Sequence, residues 1–194
     1  MLAQSLETIS LFRMDMSSSS FMESKRFRLL QDQRGTAIIE FAIVAAPFIA
    51  LLLAVMQTTL TMFTQQVLET AVEKNGRTIR VGQVQADGIS QSAFKTQLCK
   101  TLPKYVDCAD VMIDIRTANS MADVDSSTLA LTYDGSNNVT NSWKYLTGGP
   151  GDIVIMRLMY QMPAIGGPLG FTLANMKNGR RLLVATSVFK NESY

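Results

Sequence analysis

The 194-residue sequence predicts an α+β protein, a long N-terminal helix packed on a small antiparallel sheet. Three observations predict it. One uninterrupted apolar run occupies Thr36 to Phe63, an amphipathic stretch of helical spacing continues it, and three strand-like runs lie further on among dense turn signals. Composition narrows the function. The chain has no histidine, which excludes Ser-His-Asp, Cys-His and His-ligated metal chemistry together with the commonest general base. A net charge of +2 supplies no broad basic field for nucleic acid. Two cysteines cannot close a four-ligand zinc site unaided.

The apolar run reads TAIIEFAIVAAPFIALLLAVMQTTLTMF, and its single charge is Glu40. The next ionisable residue is Glu69, 28 uncharged residues later, against the roughly 20 that span a hydrocarbon core. Eleven Leu, Ile, Val and Phe from Ile38 to Val55 each favour insertion by about 0.3–0.6 kcal/mol, and one acidic residue costs at most about 3 kcal/mol. A membrane span is therefore expected over 36–63. Upstream, KRFRLLQDQR (25–34) carries four Lys or Arg against one Asp, whereas the first basic residues beyond the run are Lys74, Arg77 and Arg80. The positive-inside rule then keeps the N-terminal side cytoplasmic and sends residues 64–194 across as a head domain. A secretory signal fits poorly, since a long polar stretch precedes the basic region and no small-x-small site follows the apolar one. Residues 1–21 read as dispensable leader, with Met14, Met16 and Met22 as further possible starts. Inside the run, Pro47 removes one backbone hydrogen bond and is expected to kink or loosen the helix, with or without a role in leaving the bilayer.

Past the run, Val67, Leu68, Ala71, Val72 and Ile79 recur at helical spacing. Asn75-Gly76 is a stop signal, while Ile79, Val81 and Val84 continue the pattern, so the sequence leaves both helix ends open. Ending at Asn75, the helix would be about 60 Å long. A second helix is expected over 90–102, from a Ser90 cap to Pro103. Strands are expected at Val111–Arg116, Asp152–Tyr160 and Arg181–Lys190, with turns at Gly148-Gly149-Pro150-Gly151 and Gly166-Gly167-Pro168. Residues 117–147 read as loops with one short strand at Leu129–Tyr133. Cys99 and Cys108, on the exported side, are expected to form a disulfide in an oxidising compartment. A reactive thiol or a metal pair lacks support, because Asp107 and Asp110 alone make a poor cluster and read, with Asp114, as a solvated acidic face.

The junction Arg34-Gly35-Thr36-Ala37-Ile38-Ile39-Glu40-Phe41 joins a basic leader ending in Gly to an apolar helix, with a Glu five residues after the Gly. It resembles the processing site of type IV pilins, and FRLLQDQRGTAIIEFAIVAAPFIALLL resembles the TadE-like pseudopilins of tight-adherence (Flp, type IVc) pili. LCKTLPKYVDCADVMIDIR, GGPGDIVIMRLMYQMP and NGRRLLVATSVFKNESY are similar to head segments of that family. Met162-Pro163 and Asn191-Glu192-Ser193 stand where relatives carry Trp-Pro and Asn-Glu-Pro.

The resemblance covers residues 25–194. It implies a pilin-like fold and a minor pseudopilin with no catalysis of its own, no cofactor and no small-molecule substrate. It implies cleavage between Gly35 and Thr36 by a prepilin peptidase, removing the leader 1–35. The implied partners are that peptidase, other pilins and pseudopilins, and an inner-membrane assembly platform. The implied location is a bacterial inner membrane, single-pass with a periplasmic head, with incorporation into an extracellular pilus open. Cleavage would give Thr36 a new ammonium, and Glu40 of one subunit could pair with Thr36 of its neighbour and set the axial register. The alternative is an uncleaved, signal-anchored periplasmic scaffold or partner-binding protein of a secretion or pilus machine. A periplasmic enzyme ranks third, for want of any nucleophile–base pair or paired carboxylates.

Overall fold

A computed structural model describes residues 35–124, 130–164, 166–167 and 170–194. The basic leader expected over 1–34, and Leu129 of the expected short strand, lie outside the described residues. The chain divides into two units, Met1–Ile49 and Ala50–Tyr194. The described part of the first, 35–49, is Gly35 followed by the opening turns of helix α1 (Thr36–Arg80). Its large side chains are exposed, among them Ile38, Phe41, Ile43 and Phe48.

The second unit contains the rest of α1, two short helices and a three-stranded sheet. The helices are α2 (Gln83–Ala86) and α3 (Gln91–Cys99), and the strands are β1 (Val111–Ala118), β2 (Ile153–Pro163) and β3 (Arg180–Lys190). The sheet is antiparallel in the order β1-β2-β3, with Ile113 opposite Leu158 and Leu158 opposite Ala185. Alternation along β2 turns Val154, Met156, Leu158 and Tyr160 toward one face, where they join Leu68, Ala71, Val72 and Ile79 of α1 in a single core. Phe94 and Leu98 of α3 complete that core. Burial of this α1 stripe is what holds helix to sheet, since a helix lying alone gains little from propensity in water. The architecture is α+β, a helix packed on an antiparallel sheet.

Several boundaries differ from expectation, each for a local reason. Helix α1 continues through Asn75-Gly76 to Arg80. The Asn75 side chain is buried and its Nδ2 donates to Ala71 O at 2.8 Å, while a Cβ on Gly76 would stand 3.0 Å from the Phe189 ring. The pair thus lets an aromatic side chain approach the helix, and termination falls to Gly82 at φ +79°. Helix α3 starts at the expected cap, with Ser90 Oγ accepting from Ala93 N–H, but ends at Cys99. Thr101 and Leu102 N–H then bond back three residues to Leu98 and Cys99 carbonyls, tightening the chain before Pro103. Strand β2 runs on to Pro163 because all of 153–163 finds partners on β3. In the described part of 129–133 there is no strand, only an isolated bridge from Tyr133 to Val139. That bridge closes a turn in which Asp134 Oδ1 accepts Asn138 and Ser136 N–H and Oδ2 accepts the Asn138 side-chain amide, and these bonds, Asn138's foremost, hold the exposed carboxyl below its usual range.

Candidate functional site

Within the first unit, Gly35 is exposed and a side chain there would meet nothing within 4 Å. Thr36 opens the helix and Glu40 follows four residues later, so both lie on one helical face, and both are exposed. Pro47 sits at an exposed position inside a helix that continues on either side of it. Among the described residues α1 is the one helix long and apolar enough to cross a membrane. No carboxylate occupies its first turn, so Glu40 is the first charge met along it.

Beyond Ile49 the helix changes character in steps. Leu51, Leu52, Val55 and Met56 remain exposed, and by Thr61 and Thr64 the inward positions are buried. Between these levels Thr58, Thr59, Thr61 and Thr64 each donate their hydroxyl to the carbonyl four residues back, at 2.8–2.9 Å. A hydroxyl satisfied within its own helix costs little whether lipid, protein or water surrounds it. Sequence reasoning passed over this threonine ladder, although its spacing is legible in QTTLTMFT (57–64).

In the second unit Cys99 and Cys108 are joined as a disulfide, with Cα atoms 5.9 Å apart. The bond ties the end of α3 to the short turn Cys108–Asp110 that leads into β1. Asp107 caps that turn by accepting Ala109 N–H, and Asp110 pairs with Arg180 at the start of β3. The third of the acidic trio, Asp114, departs from the expected solvated face and is 1% exposed. Its Oδ1 accepts Lys144 N–H at 2.9 Å, and its Oδ2 lies 2.7 Å from Arg116 Nε, an ion pair off the hydrogen-bonding direction. Asp114 thereby fixes the segment around Tyr145, which bridges the outer edge of β1 in parallel. Among the described residues no three Asp, Glu or Cys side chains gather as a metal site.

The far end of the head is tied by Asn191, 3% exposed, whose Nδ2 donates to the Thr147 and Gly149 carbonyls. Gln85 Nε2 reaches the same Thr147 carbonyl, and Arg80 pairs with Glu192. Asn191 follows the end of β3, and the sequence carries no sign of this tie, because an Asn after a strand reads as an ordinary turn residue.

Comparison with known proteins bears on the first half of the chain. A family model described as TadE-like protein matches residues 35–74, from Gly35 through most of α1. No curated protein and no solved structure matches the chain.

Proposed function

We propose that this chain, TadE-like over residues 35–74, is a minor pseudopilin used in building a tight-adherence (type IVc) pilus. The observation that carries the reading is a coincidence of position. The family match begins at Gly35, the helix begins at Thr36, and the first charge follows at Glu40 on an otherwise apolar, exposed surface. TadE-like proteins are assembly components rather than enzymes, and they work among other pilus components at a membrane.

In this reading residues 1–35 are a cytoplasmic leader, 36–63 the membrane and filament-core helix, and 64–194 the periplasmic head. A prepilin peptidase cuts after Gly35, where the missing side chain leaves the scissile bond unhindered. The new Thr36 ammonium and the Glu40 carboxylate then meet between neighbouring subunits. A carboxylate held in an apolar environment calls for such a partner, and removing one member of a buried pair costs about 3–5 kcal/mol. The function is helix packing, with no bond-making chemistry by the chain itself.

The test is the mass of the intact chain isolated from membranes with and without a prepilin peptidase. A chain beginning at Thr36, seen only with the peptidase, is the expected result. One still carrying 25–35 in peptidase-positive cells overturns the reading in favour of a signal-anchored scaffold.

A further inference from the structure

The head has two distinguishable ends along α1. At one, Gln57, Leu60 and Thr61 border a notch with Met162, Pro163, Leu173 and Arg181. At the other, Gly76 meets Phe189 and Arg80 meets Glu192. Strand β3 therefore runs alongside the helix in the same direction. Its Arg180–Arg181 start lies at the level where the exposed apolar turns Ala50–Met56 lead in.

The side chains gathered at that level are not those of an ordinary domain end. Leu60, Phe63 and Tyr105 are 44%, 57% and 48% exposed, and the Phe63 and Tyr105 rings lie 6.3 Å apart. Lys104 is exposed next to Tyr105 in the segment that enters this end of the sheet, whereas Lys177, exposed in the segment before β3, lies over the Tyr133 ring at 5.3 Å from its centroid. Arg180 is paired with Asp110, but Arg181 has no carboxylate partner among the described residues. Its Nη1 donates to Leu173 O at 3.0 Å, and its enclosed Nε has no hydrogen-bond partner among the described residues. Apolar rings with amphipathic edges, unpaired cations and self-satisfied threonines, placed where an apolar helix ends, match the chemistry of a lipid headgroup layer.

We propose that this end of the head is a lipid-docking collar. In it Phe63 and Tyr105 enter the interfacial layer, while Arg181, with Lys104, holds anionic phospholipid headgroups. The proposal rests on α1 spanning the membrane, as in the preceding reading. The occupant is a lipid surface rather than a second copy because the patch is continuous with the exposed apolar turns that precede it; of the carboxylates nearby, Asp110 is taken by Arg180 and Asp107 by the Ala109 N–H. Docking would hold the head upright on the bilayer while the subunit is stored, and each collar contact would have to break when the subunit leaves.

The test uses the full chain reconstituted in vesicles. The sole tryptophan is moved into the collar by Trp143→Phe with Tyr105→Trp, and fluorescence quenching is measured with brominated phosphatidylglycerol or brominated phosphatidylcholine in mixed bilayers. The expected result is quenching with selectivity for phosphatidylglycerol. Arg181→Gln, which keeps a donor for Leu173 O, should lower that selectivity roughly fivefold, as should Lys104→Gln. Equal quenching by the two lipids, or none, overturns the collar, as does shielding of the reporter that rises with protein density instead of anionic lipid. Resistance to alkaline extraction, read on the same samples, separates the premises. A chain that stays in the bilayer unquenched sinks the collar alone, whereas one that extracts freely sinks the membrane span as well. Thermal melting of each variant head confirms that the fold is retained.

Discussion

At the scale of single residues, the head unit shows which polar groups are structural. Tyr145 is half-buried against Phe94, with ring centroids 5.9 Å apart, and its hydroxyl donates to Ile89 O at 3.0 Å. Burial raises its pKa above the ordinary 10.0, and burial first, then the Asp110 and Asp107 charges, raises that of Tyr160. An acid whose folded pKa is raised stays neutral while the unfolded chain ionises. The stability it contributes is complete below about pH 10 and is lost as pH climbs beyond that. A phenolate absorbance titration should show Tyr145 and Tyr160 ionising after the other tyrosines, with the melting temperature falling over the same range. Tyr145→Phe should flatten part of that fall. Reducing Cys99–Cys108, or Cys99→Ser, should destabilise the head by about 2–3 kcal/mol in the chain-entropy account, read as a lower melting temperature.

Elements teach a different lesson. The apolar run, the amphipathic continuation and the three strands are legible in the sequence because each rests on periodicity within a dozen residues. What escaped depends on partners far along the chain. Asn75-Gly76 looks like a helix stop until Phe189 is known to pack on it, and Asp114 looks like a solvated acid until the Tyr145 segment arrives to cover the β1 edge. The Cys pair was legible, while Gly35, Thr36 and Glu40 stand as a proposal that rests on resemblance. The hydrogen bonds of Asn191 and Arg181 had no local signal. The helix end itself offers a test. Gly82 holds φ +79° and the Tyr194 ring covers the position a Cβ would take. Gly82→Ala should cost about 1–3 kcal/mol by strain plus overlap, measured by chemical denaturation. Tyr194→Ala in the same chain should recover the overlap and leave only the strain.

Across the whole molecule, one helix carries two kinds of surface. Its inward positions from Thr61 onward are buried against the sheet, while those before Met56 are exposed and apolar. Leu68→Ala should therefore cost the head about 2–5 kcal/mol in a melting experiment. Ile43→Ala should leave head melting unchanged and act only on membrane retention or assembly. Equal effects of the two on melting would contradict the division of α1 at Ile49–Ala50. Glu40→Gln should leave the head untouched and lower incorporation into filaments, scored as the subunit fraction recovered with sheared pili.

The sheet order carries a consequence in time. Strand β2 lies between its two neighbours and shares one core with Leu68, Val72 and Ile79, yet it begins only at Ile153. A ribosome adding 5–20 residues per second reaches Ile153 roughly 4–15 s after Ile79. For that interval only α2, α3 and β1, among the elements that share its core, have been made to cover the greasy stripe of the emerging helix, and β3 arrives later still. A nascent chain in this condition stays open and vulnerable until its middle strand is complete. The order of strands that makes the finished head compact also makes it close last.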